Sequence, residues 1–365
     1  MLVSIVVVLF ILNIMNSFRQ KEIKVILLAF FAFLFIIFTY ASSEISDYSV
    51  YEVYYNTPDF NIEPGFSLLE KISNSLGFSF FQFRTSIAIL GFLILFLAVR
   101  KITHRYSYFL SIYFLFPFFY DVIQMRNFLM MTCAFYAATF LIKGTWRDVL
   151  LSIIWILIAG SIHLLGYIFL VGILIWLINK HSSKAMNIIL IIIIVSSILL
   201  IIPGLRAFVS DMVIRVAGSS TGRLSHLMEY SNVSVRYGFI IGWIRAITAF
   251  MLVFWTKRII LRKNLNPQDL TVKKINMLYS FVTISLLALP LLLIDADFER
   301  VFRNVFVMVI CACALVRKGT FTSLFERYLF NLLVLVVIGF NVYGVINGIT
   351  LDNVHLILFN NTLFS

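Results

Sequence analysis

Arg126, Arg300 and Arg303 are the residues of this 365-residue sequence that best suit the binding of an anion. Each lies at the edge of an apolar run, where a charged side chain is costly unless it is paired or reaches water. A guanidinium grips phosphate or carboxylate through two parallel hydrogen bonds. Arg300 and Arg303 share one helical face, where they can form structural ion pairs or clamp two phosphate oxygens. An ion pair with Asp121 is the simpler explanation of Arg126.

The segment from Ser42 to Glu70 has a composition that suits carbohydrate. It has no basic residue, and its acidic and tyrosine residues are Glu44, Asp47, Glu52, Asp59, Glu63, Glu70, Tyr48, Tyr51, Tyr54 and Tyr55. Aromatic rings stack on sugar faces, and carboxylates accept hydrogen bonds from hydroxyl groups. An ordinary outer loop with tyrosines at the membrane interface explains the composition equally well. Glu63-Pro64-Gly65 then begins an apolar pattern that predicts a short interfacial amphipathic helix.

His163 is the third candidate, because it lies between two apolar runs, 149–162 and 164–178. A polar ring at such a position should face a cavity or a partner. Its ordinary pKa is close to neutrality, so it is a candidate general base. A structural, hydrogen-bonded histidine is the alternative. A tight turn or a re-entrant kink is expected at this position.

The elements that carry these residues are predicted to be membrane helices. Hydrophobic residues make up 61% of the sequence and charged residues only 13%, whereas soluble domains have about 45–50% and about 25%. This composition excludes a soluble enzyme, a disordered chain and a coiled coil. The apolar runs give twelve candidate spans: 1–16, 25–41, 79–99, 106–122, 127–142, 149–162, 164–178, 185–203, 238–256, 275–294, 301–316 and 328–347.

We therefore predict an all-α polytopic membrane protein with about 12 transmembrane helices, in one integral membrane domain over residues 1–365. A short interfacial amphipathic helix and a long outer loop complete the prediction. The outer segments 42–78 and 204–237 are its candidate substrate-binding elements.

The net charge of +12 divides unevenly between the two sets of connecting segments. One set holds 19 basic and four acidic residues, a net +15, and the rest of the chain holds ten basic and 13 acidic residues, a net −3. An excess of Lys and Arg marks cytoplasmic loops, so this set is predicted to be cytoplasmic and both termini to lie outside. Topology alone explains the basic loops, so nucleic acid is not expected as a partner.

The basic residues outside the predicted cytoplasmic loops are almost all arginine. Nine of the ten are Arg, whereas the cytoplasmic set has eight Arg and 11 Lys. A topology signal needs no particular basic residue, but bidentate binding of phosphate requires Arg. The bias indicates an anionic ligand on the outer side, best explained by a phosphate-bearing lipid, with chance as the competing explanation. The long outer loop contributes Arg206, Arg215, Arg223 and Arg236.

No cofactor or metal is expected from the sequence. Cys133, Cys311 and Cys313 lack the spacing of a zinc site or a thiol–disulfide motif, and we interpret them as core residues. The sequence contains no metal triad, nucleotide-binding loop or serine-hydrolase elbow.

Several motifs occur in a specific order. They are Asp47-Tyr48 with Tyr51, Glu63-Pro64-Gly65-Phe66 before an amphipathic helix, Arg126 after an aromatic run, and His163 before the next span. This order resembles the EpsG family, a group of multi-span bacterial polysaccharide polymerases that includes many Wzy-type O-antigen and capsule polymerases. The resemblance is firmest over residues 44–170 and extends weakly to Arg303. Asn127 stands where the family usually has Gln, and Leu164 and Leu165 stand where a small residue usually follows the His.

The resemblance implies an enzyme, a glycosyltransferase-type polymerase on the outer face of the bacterial plasma membrane. It would join oligosaccharide repeat units carried on undecaprenyl pyrophosphate, which serve as both donor and acceptor. A chain-length regulator and a flippase are the expected protein partners.

The resemblance also implies roles for individual residues. Arg126, Arg300 and Arg303 would stabilise the leaving pyrophosphate. His163, or else Asp47 or Glu63, would take the proton of the acceptor hydroxyl. Substrate contacts are expected from Tyr48, Tyr51, Asn127, Arg206, Arg215, Arg223 and Arg236.

Three other functions compete with a polymerase. A flippase for lipid-linked sugars would show related halves and broken helices near the membrane midplane, whereas the polar residues here gather at the outer ends of spans. An O-antigen ligase would use similar Arg and His chemistry with a different acceptor. A non-enzymatic assembly scaffold predicts that replacing single outer arginines is harmless.

Overall fold

The computed structural model of the protein describes residues 2–57, 63–218, 238–264, 266–294, 296–316, 318–346 and 350–363, and these residues form helices joined by turns. The first nine helices are α1 (Leu2–Ser17), α2 (Lys24–Thr39), α3 (Tyr48–Asn56), α4 (Pro64–Ser75), α5 (Phe80–Ile102), α6 (Tyr106–Leu115), α7 (Phe118–Ile123), α8 (Met125–Phe140) and α9 (Trp146–Ile162). A 3-10 helix (Leu164–Ile168) follows. The later helices are α10 (Phe169–His181), α11 (Ser183–Leu199), α12 (Pro203–Gly218), α13 (Gly238–Lys263), α14 (Leu270–Val282), α15 (Ala288–Leu291), α16 (Glu299–Leu315), α17 (Leu324–Ile346) and α18 (Thr350–Phe359).

Five helical segments of the described chain are long and apolar enough to cross a membrane. They are Phe80–Ile102, Leu164–His181, Phe239–Lys263, Leu270–Leu291 and Leu324–Ile346. A sixth span results if α11 and the start of α12, which are bent by 109° at their junction, are taken together. The structure thus supports an all-helical integral membrane protein, and the count of about twelve spans stays a prediction.

The difference in the count has a physical origin in short or broken helices. The helices α1, α2 and α8 have 16 residues each and α9 and α16 have 17, whereas a straight span needs about 20. The predicted span 106–122 is divided into α6 and α7 at Phe116-Pro117, because proline lacks the N–H that would continue the helix.

Two helices, α8 and α16, lie at the centre of the molecule. Nearly every side chain of α16 from Val301 to Ala314 is buried, and so are most side chains of α8. Asn127 and Asn304 join the two helices through reciprocal amide hydrogen bonds of 2.8 and 3.0 Å. Gly91 of α5 allows close packing on α8, since a Cβ at this position would lie 2.9 Å from Cδ1 of Phe128.

The amide pair between α8 and α16 makes a prediction about stability. We expect Asn127→Leu alone to lower the free energy of unfolding by about 1–3 kcal/mol, because it leaves the buried Asn304 amide without a partner. The double variant Asn127→Leu/Asn304→Leu should recover most of this loss, since neither helix then buries an unpaired polar group. Thermal unfolding of the detergent-solubilised variants measures both effects. A double variant no more stable than Asn127→Leu would contradict this explanation.

The loops that were predicted to be cytoplasmic meet at one end of the bundle, which we call the basic-loop end. Arg105 donates to the carbonyl of Val316 at 3.2 Å, and Lys274 donates to the carbonyl of Ile102 at 2.8 Å. Arg262 forms an ion pair with Glu326. These contacts join loops that lie far apart in the sequence, as expected if all of them lie on one side of a membrane.

The segments between the other helix ends contain more helix than the sequence predicted. The acidic and tyrosine-rich segment forms α3, and α12 occupies the first part of the predicted long loop 204–237. Residues 219–237 of that loop lie outside the described residues. The predicted helix after Glu63 is confirmed as α4, with Pro64 in its first turn. Leu68 and Ile72 on this helix are 57% and 48% exposed, as an interfacial helix allows, whereas the burial of Glu70 is unexpected.

Candidate functional site

The two central helices begin at the same end of the bundle, and each carries arginine in its first turns. Arg126 is the second residue of α8, and Arg300 and Arg303 are the second and fifth residues of α16. Arginine is unfavourable at a helix N-terminus, where the helix dipole is positive and the first N–H groups have no helical partner. Three guanidinium groups and two positive helix ends therefore lie together at what we call the arginine end. Such a concentration of positive charge suits an anion.

Glu63 is the residue that holds Arg126. Its carboxylate accepts a hydrogen bond of 2.9 Å from Nη1 of Arg126 and one of 3.2 Å from the backbone N–H of Leu164. Glu63 is the residue before α4, and its placement depends on Gly65, because a Cβ there would lie 2.9 Å from the carbonyl carbon of Ser161. The Glu63-Pro64-Gly65 motif thus joins α4, the end of α9 and the start of α8.

The predicted ion pair between Asp121 and Arg126 is wrong. The salt-bridge partner of Arg126 is Glu63, and buried Asp121 instead accepts a hydrogen bond of 2.8 Å from the hydroxyl of Tyr113. The helix break at Gln124 separates the two residues, so their spacing in the sequence does not bring the side chains together.

Arg303 is held from the break between α7 and α8. Its Nη2 donates to Oε1 of Gln124, and its guanidinium carbon lies 4.3 Å from the centre of the Tyr120 ring. Only 5% of Arg303 is exposed, and its Nε is buried without a hydrogen-bond partner. Arg300 is more exposed and forms a 3.1 Å ion pair with Asp297 one turn earlier. One of the two predicted roles of Arg300, an ion pair, is thus present in the structure, and phosphate binding stays a prediction.

Asp47 lies within the electrostatic reach of all three arginines. Burial raises the pKa of this carboxyl above its ordinary value, and the charges of Arg300, Arg126 and Arg303 act in the opposite direction. Asp47 precedes α3 and makes no side-chain capping hydrogen bond to it. The structure thus brings together five of the predicted catalytic residues, Asp47, Glu63, Arg126, Arg300 and Arg303.

His163 lies at the predicted break between α9 and the 3-10 helix, beside the same arginines. Burial and the charges of Arg126, Arg300 and Arg303 lower the pKa of His163 to about 3, so its ring is neutral at physiological pH. Its Nδ1 accepts a 3.2 Å hydrogen bond from the N–H of Leu165, which leaves the proton on Nε2. A neutral ring in this tautomer is a hydrogen-bond donor, so the geometry disfavours the predicted role of general base.

The two tyrosines that were predicted to stack on sugar are packed into the protein. Tyr51 is only 6% exposed and lies 6.3 Å from the ring of Phe66. Tyr48 is half-buried and contacts the ring of Phe80 edge-on at 5.0 Å. The ring of Tyr51 is therefore not open for stacking. Burial raises its pKa to about 12, against the opposing effect of Arg126, so the hydroxyl stays protonated and can donate.

The remaining predicted substrate contacts receive little support from the described residues. Asn127 is 2% exposed and both of its amide atoms bond to Asn304, so its role here is structural. Arg206 lies half-exposed on α12, and Arg215 lies on the same helix. Arg223 and Arg236 lie outside the described residues.

Four residues of the arginine end received no individual role from the sequence. Arg84 is fully buried and donates to the carbonyls of Phe38 and Val122, which end α2 and α7. Arg245 is buried beside Phe116 and Phe302 and pairs with Glu299. Gln124 and Glu70 complete the set. The excess of arginine over lysine outside the basic loops was the signal for Arg84 and Arg245.

The fold and the site together define an integral membrane protein that exposes a polar, cation-rich site at one end of its helices. The sequence pattern of the EpsG family matches residues 24–354, and the chain belongs to this family. Membership points to polysaccharide biosynthesis. No curated protein and no solved structure matches the chain.

Proposed function

We propose that this protein is a polysaccharide polymerase, a glycosyltransferase that joins oligosaccharide repeat units carried on undecaprenyl pyrophosphate. A hydroxyl oxygen of the next lipid-linked unit forms the new bond to the anomeric carbon at the end of the growing chain. The bond from that carbon to the carrier's phosphate oxygen breaks, and undecaprenyl pyrophosphate leaves with the electron pair. The reaction therefore needs positive charge at the leaving group and a proton acceptor at the hydroxyl.

The observation that carries the proposal is the position of Arg126, Arg300 and Arg303 at the N-termini of two central helices. A cation at the positive end of a helix lowers stability. Proteins retain such unfavourable placements mainly at functional sites. Within the described part of the chain, Nε of Arg126 and Nε of Arg303 are both buried without a hydrogen-bond partner. A pyrophosphate would supply hydrogen-bond acceptors to these two N–H groups and negative charge to the three guanidinium groups.

The acidic residues of the site then act as counter-ions in the absence of substrate. Glu63 neutralises Arg126, Asp297 neutralises Arg300, and Asp47 lies near all three arginines. When the substrate binds, its phosphate oxygens take the place of these carboxylates beside the arginines, so the positive charge of the guanidinium groups stays neutralised. His163, with its proton on Nε2, and the hydroxyl of Tyr51 are neutral donors for phosphate or sugar oxygens.

The proposal places the arginine end on the outer face of the bacterial plasma membrane, because the basic-loop end has the charge of a cytoplasmic surface. Donor and acceptor repeat units reach this face after a flippase has moved them outward. The flippase and a chain-length regulator are the proposed protein partners.

A deletion strain complemented with Arg303→Ala tests the proposal. We expect surface glycan in which each lipid carries one repeat unit and longer chains are lost, because the leaving pyrophosphate is no longer stabilised. Electrophoresis of the extracted glycan measures the chain-length distribution. Arg147→Ala is the matched control, since Arg147 is exposed at the basic-loop end and should give normal ladders.

The same gel separates the competing functions. Loss of all surface repeat units would indicate a flippase, and full-length polymer that stays on its carrier lipid would indicate a ligase. Normal ladders from Arg303→Ala, expressed at the level of the unmutated protein, would indicate a scaffold. Each of these results would contradict the polymerase proposal.

A further inference from the structure

Glu70 is a buried carboxyl group that the interactions described so far do not explain. It is 2% exposed, and its Oε1 is buried with no hydrogen-bond partner among the residues that the structure describes. It lies on α4, which turns Phe66, Glu70 and Ser73 inward and leaves the apolar side chains of Leu68 and Ile72 exposed. Burying a carboxyl oxygen without a hydrogen-bond partner costs stability, which indicates a functional requirement.

The position of Glu70 relative to Arg126 suggests what this requirement is. Glu63 immediately precedes α4, and Phe66 and Glu70, four residues apart, are buried on one side of this helix. The guanidinium carbon of Arg126 lies 5.9 Å from the centre of the Phe66 ring. Glu63 forms the ion pair with Arg126. Glu70 is close enough for the charge of Arg126 to lower its pKa, but the salt bridges between described residues do not include Glu70.

Two buried polar atoms thus lack a partner on neighbouring side chains, namely Oε1 of Glu70 and Nε of Arg126. One is a hydrogen-bond acceptor when the carboxyl is ionised, and the other is a donor. A ligand that presents a hydroxyl group to the first and a phosphate oxygen to the second would satisfy both. A sugar hydroxyl beside a sugar-linked pyrophosphate is a ligand of this chemistry.

We propose that Glu70 is the proton acceptor for the attacking hydroxyl of the acceptor sugar, an inference that rests on the proposed polymerase function. The hydroxyl proton moves to Oε1 of Glu70 while the hydroxyl oxygen bonds to the anomeric carbon of the donor. The bond from that carbon to the phosphate oxygen breaks, and the pyrophosphate leaves beside Arg126. The proton on Glu70 then passes to water, which restores the carboxylate.

The environment of Glu70 supports this assignment over the other carboxyl groups. Burial raises its pKa to about 7, and the charge of Arg126 lowers it only in part. A general base works best when its pKa is close to the operating pH. Glu63 is already bonded to Arg126 and to the N–H of Leu164, and Asp47 faces three arginines rather than one.

The test is the pH dependence of polymerisation by the full-length protein reconstituted with purified lipid-linked repeat units. Glu70 is protonated below its pKa and ionised above it, so we expect the rate to rise with pH and to level off above about pH 7. Glu70→Gln should lower the rate on the plateau above pH 7 by about 100-fold or more and should remove the rise of the rate with pH, with binding of the lipid-linked donor unchanged. Glu70→Asp should retain part of the activity with a shifted midpoint, which a purely structural role would not produce. Glu52→Gln is the control, because Glu52 is exposed on α3.

Glu70→Gln that polymerises within about threefold of the unmutated protein would overturn the assignment and leave the polymerase function intact. Glu70→Gln that is slower but keeps the rise of the rate towards pH 7 would also overturn it, in favour of a positioning role. Infrared titration of the carboxyl band gives a separate check that needs no turnover. A band that titrates near pH 7 in the unmutated protein and is lost in Glu70→Gln supports the assignment, and its absence would overturn it. Failure of the unmutated protein to elongate any repeat unit would contradict the proposed function itself.

Discussion

Arg126→Lys should abolish long glycan chains although it keeps the positive charge. Arg126 lies in the first turn of α8 with Nη1 bonded to Glu63 at 2.9 Å and with Nε free to donate to a ligand. The guanidinium of arginine is planar and can donate to Glu63 through one nitrogen and to a phosphate oxygen through another. Lysine has a single ammonium nitrogen and lacks this fixed pair of donors. We expect a loss of about 100-fold in polymerisation rate, the order found when one donor to a developing negative charge is removed.

The rate is measured with purified lipid-linked repeat units, and glycan ladders from complemented cells give the same information in vivo. Arg147→Lys makes the same exchange at an exposed position of the basic-loop end and should be neutral. If Arg126→Lys polymerised as fast as Arg147→Lys, charge alone would account for Arg126, and bidentate binding would be excluded.

Gly65→Ala is the second change with a large expected effect, although it adds only one methyl group. The new Cβ would lie 2.9 Å from the carbonyl carbon and Cβ of Ser161, so α4 would have to move away from the end of α9. This movement would shift Glu63 from Arg126 and Glu70 from the site. A displacement of about 1 Å in positioned groups can cost about 100-fold in rate, and we expect a loss of this order in the reconstituted polymerisation assay.

Two further variants separate this effect from general helix chemistry. Gly339→Ala also replaces a helical glycine, but its Cβ meets no atom within 4 Å, and it should leave the rate unchanged. Ser161→Gly removes the Cβ that the alanine approaches, and in combination with Gly65→Ala it should restore part of the activity. Full activity of Gly65→Ala alone would show that close packing of α4 on α9 is unnecessary.

Much of the architecture follows from hydrophobicity and charge. The helical class, a helix after Glu63 and the break at His163 are borne out, and the interfacial position of that helix stays a prediction. The number of spans does not follow as simply, because apolar runs such as 127–142 form helices of only 16 residues inside the protein. A buried helix and a membrane span have the same composition, so hydropathy alone does not distinguish them.

The site was predictable in its residue types and less so in its pairings. The sequence pointed to Arg126, Arg300 and Arg303 because a charge at the edge of an apolar run needs a reason. It proposed Asp121 as the partner of Arg126 from their separation of five residues, whereas the actual partner is Glu63, 63 residues earlier. Contacts between distant segments depend on helix packing and have no local sequence signal.

Glu70 is one of six acidic residues in the segment from Ser42 to Glu70, and nothing local distinguished it. The apolar pattern of α4 predicted an amphipathic helix but gave no sign that its inward side would carry a carboxyl group. In the structure the buried side of α4 is set by Phe66, which lies beside Tyr51 and Arg126. The rotation of a short helix is decided by its neighbours when both faces carry apolar residues.

The ion pair between Glu63 and Arg126 has a consequence for the synthesis of the protein. A membrane protein enters the bilayer from its N-terminus as it is translated, and an unpaired arginine in the hydrocarbon core is costly. Glu63 is made before Arg126, and Gln124 is made before Arg303, so each arginine enters the bilayer after the group that binds it.

Arg245 has the opposite order, because its partners Glu299 and Asn341 lie 54 and 96 residues later in the chain. Until those residues are translated, its guanidinium depends on carbonyl groups, lipid headgroups or water. The nascent chain therefore passes through a stage at which Arg245, which is buried in the finished fold, has not yet met the Glu299 carboxylate that pairs with it. Insertion of α16 ends that stage and in the same event brings Arg300 and Arg303 to Arg126, so the nascent chain acquires its counter-ion and its complete site together.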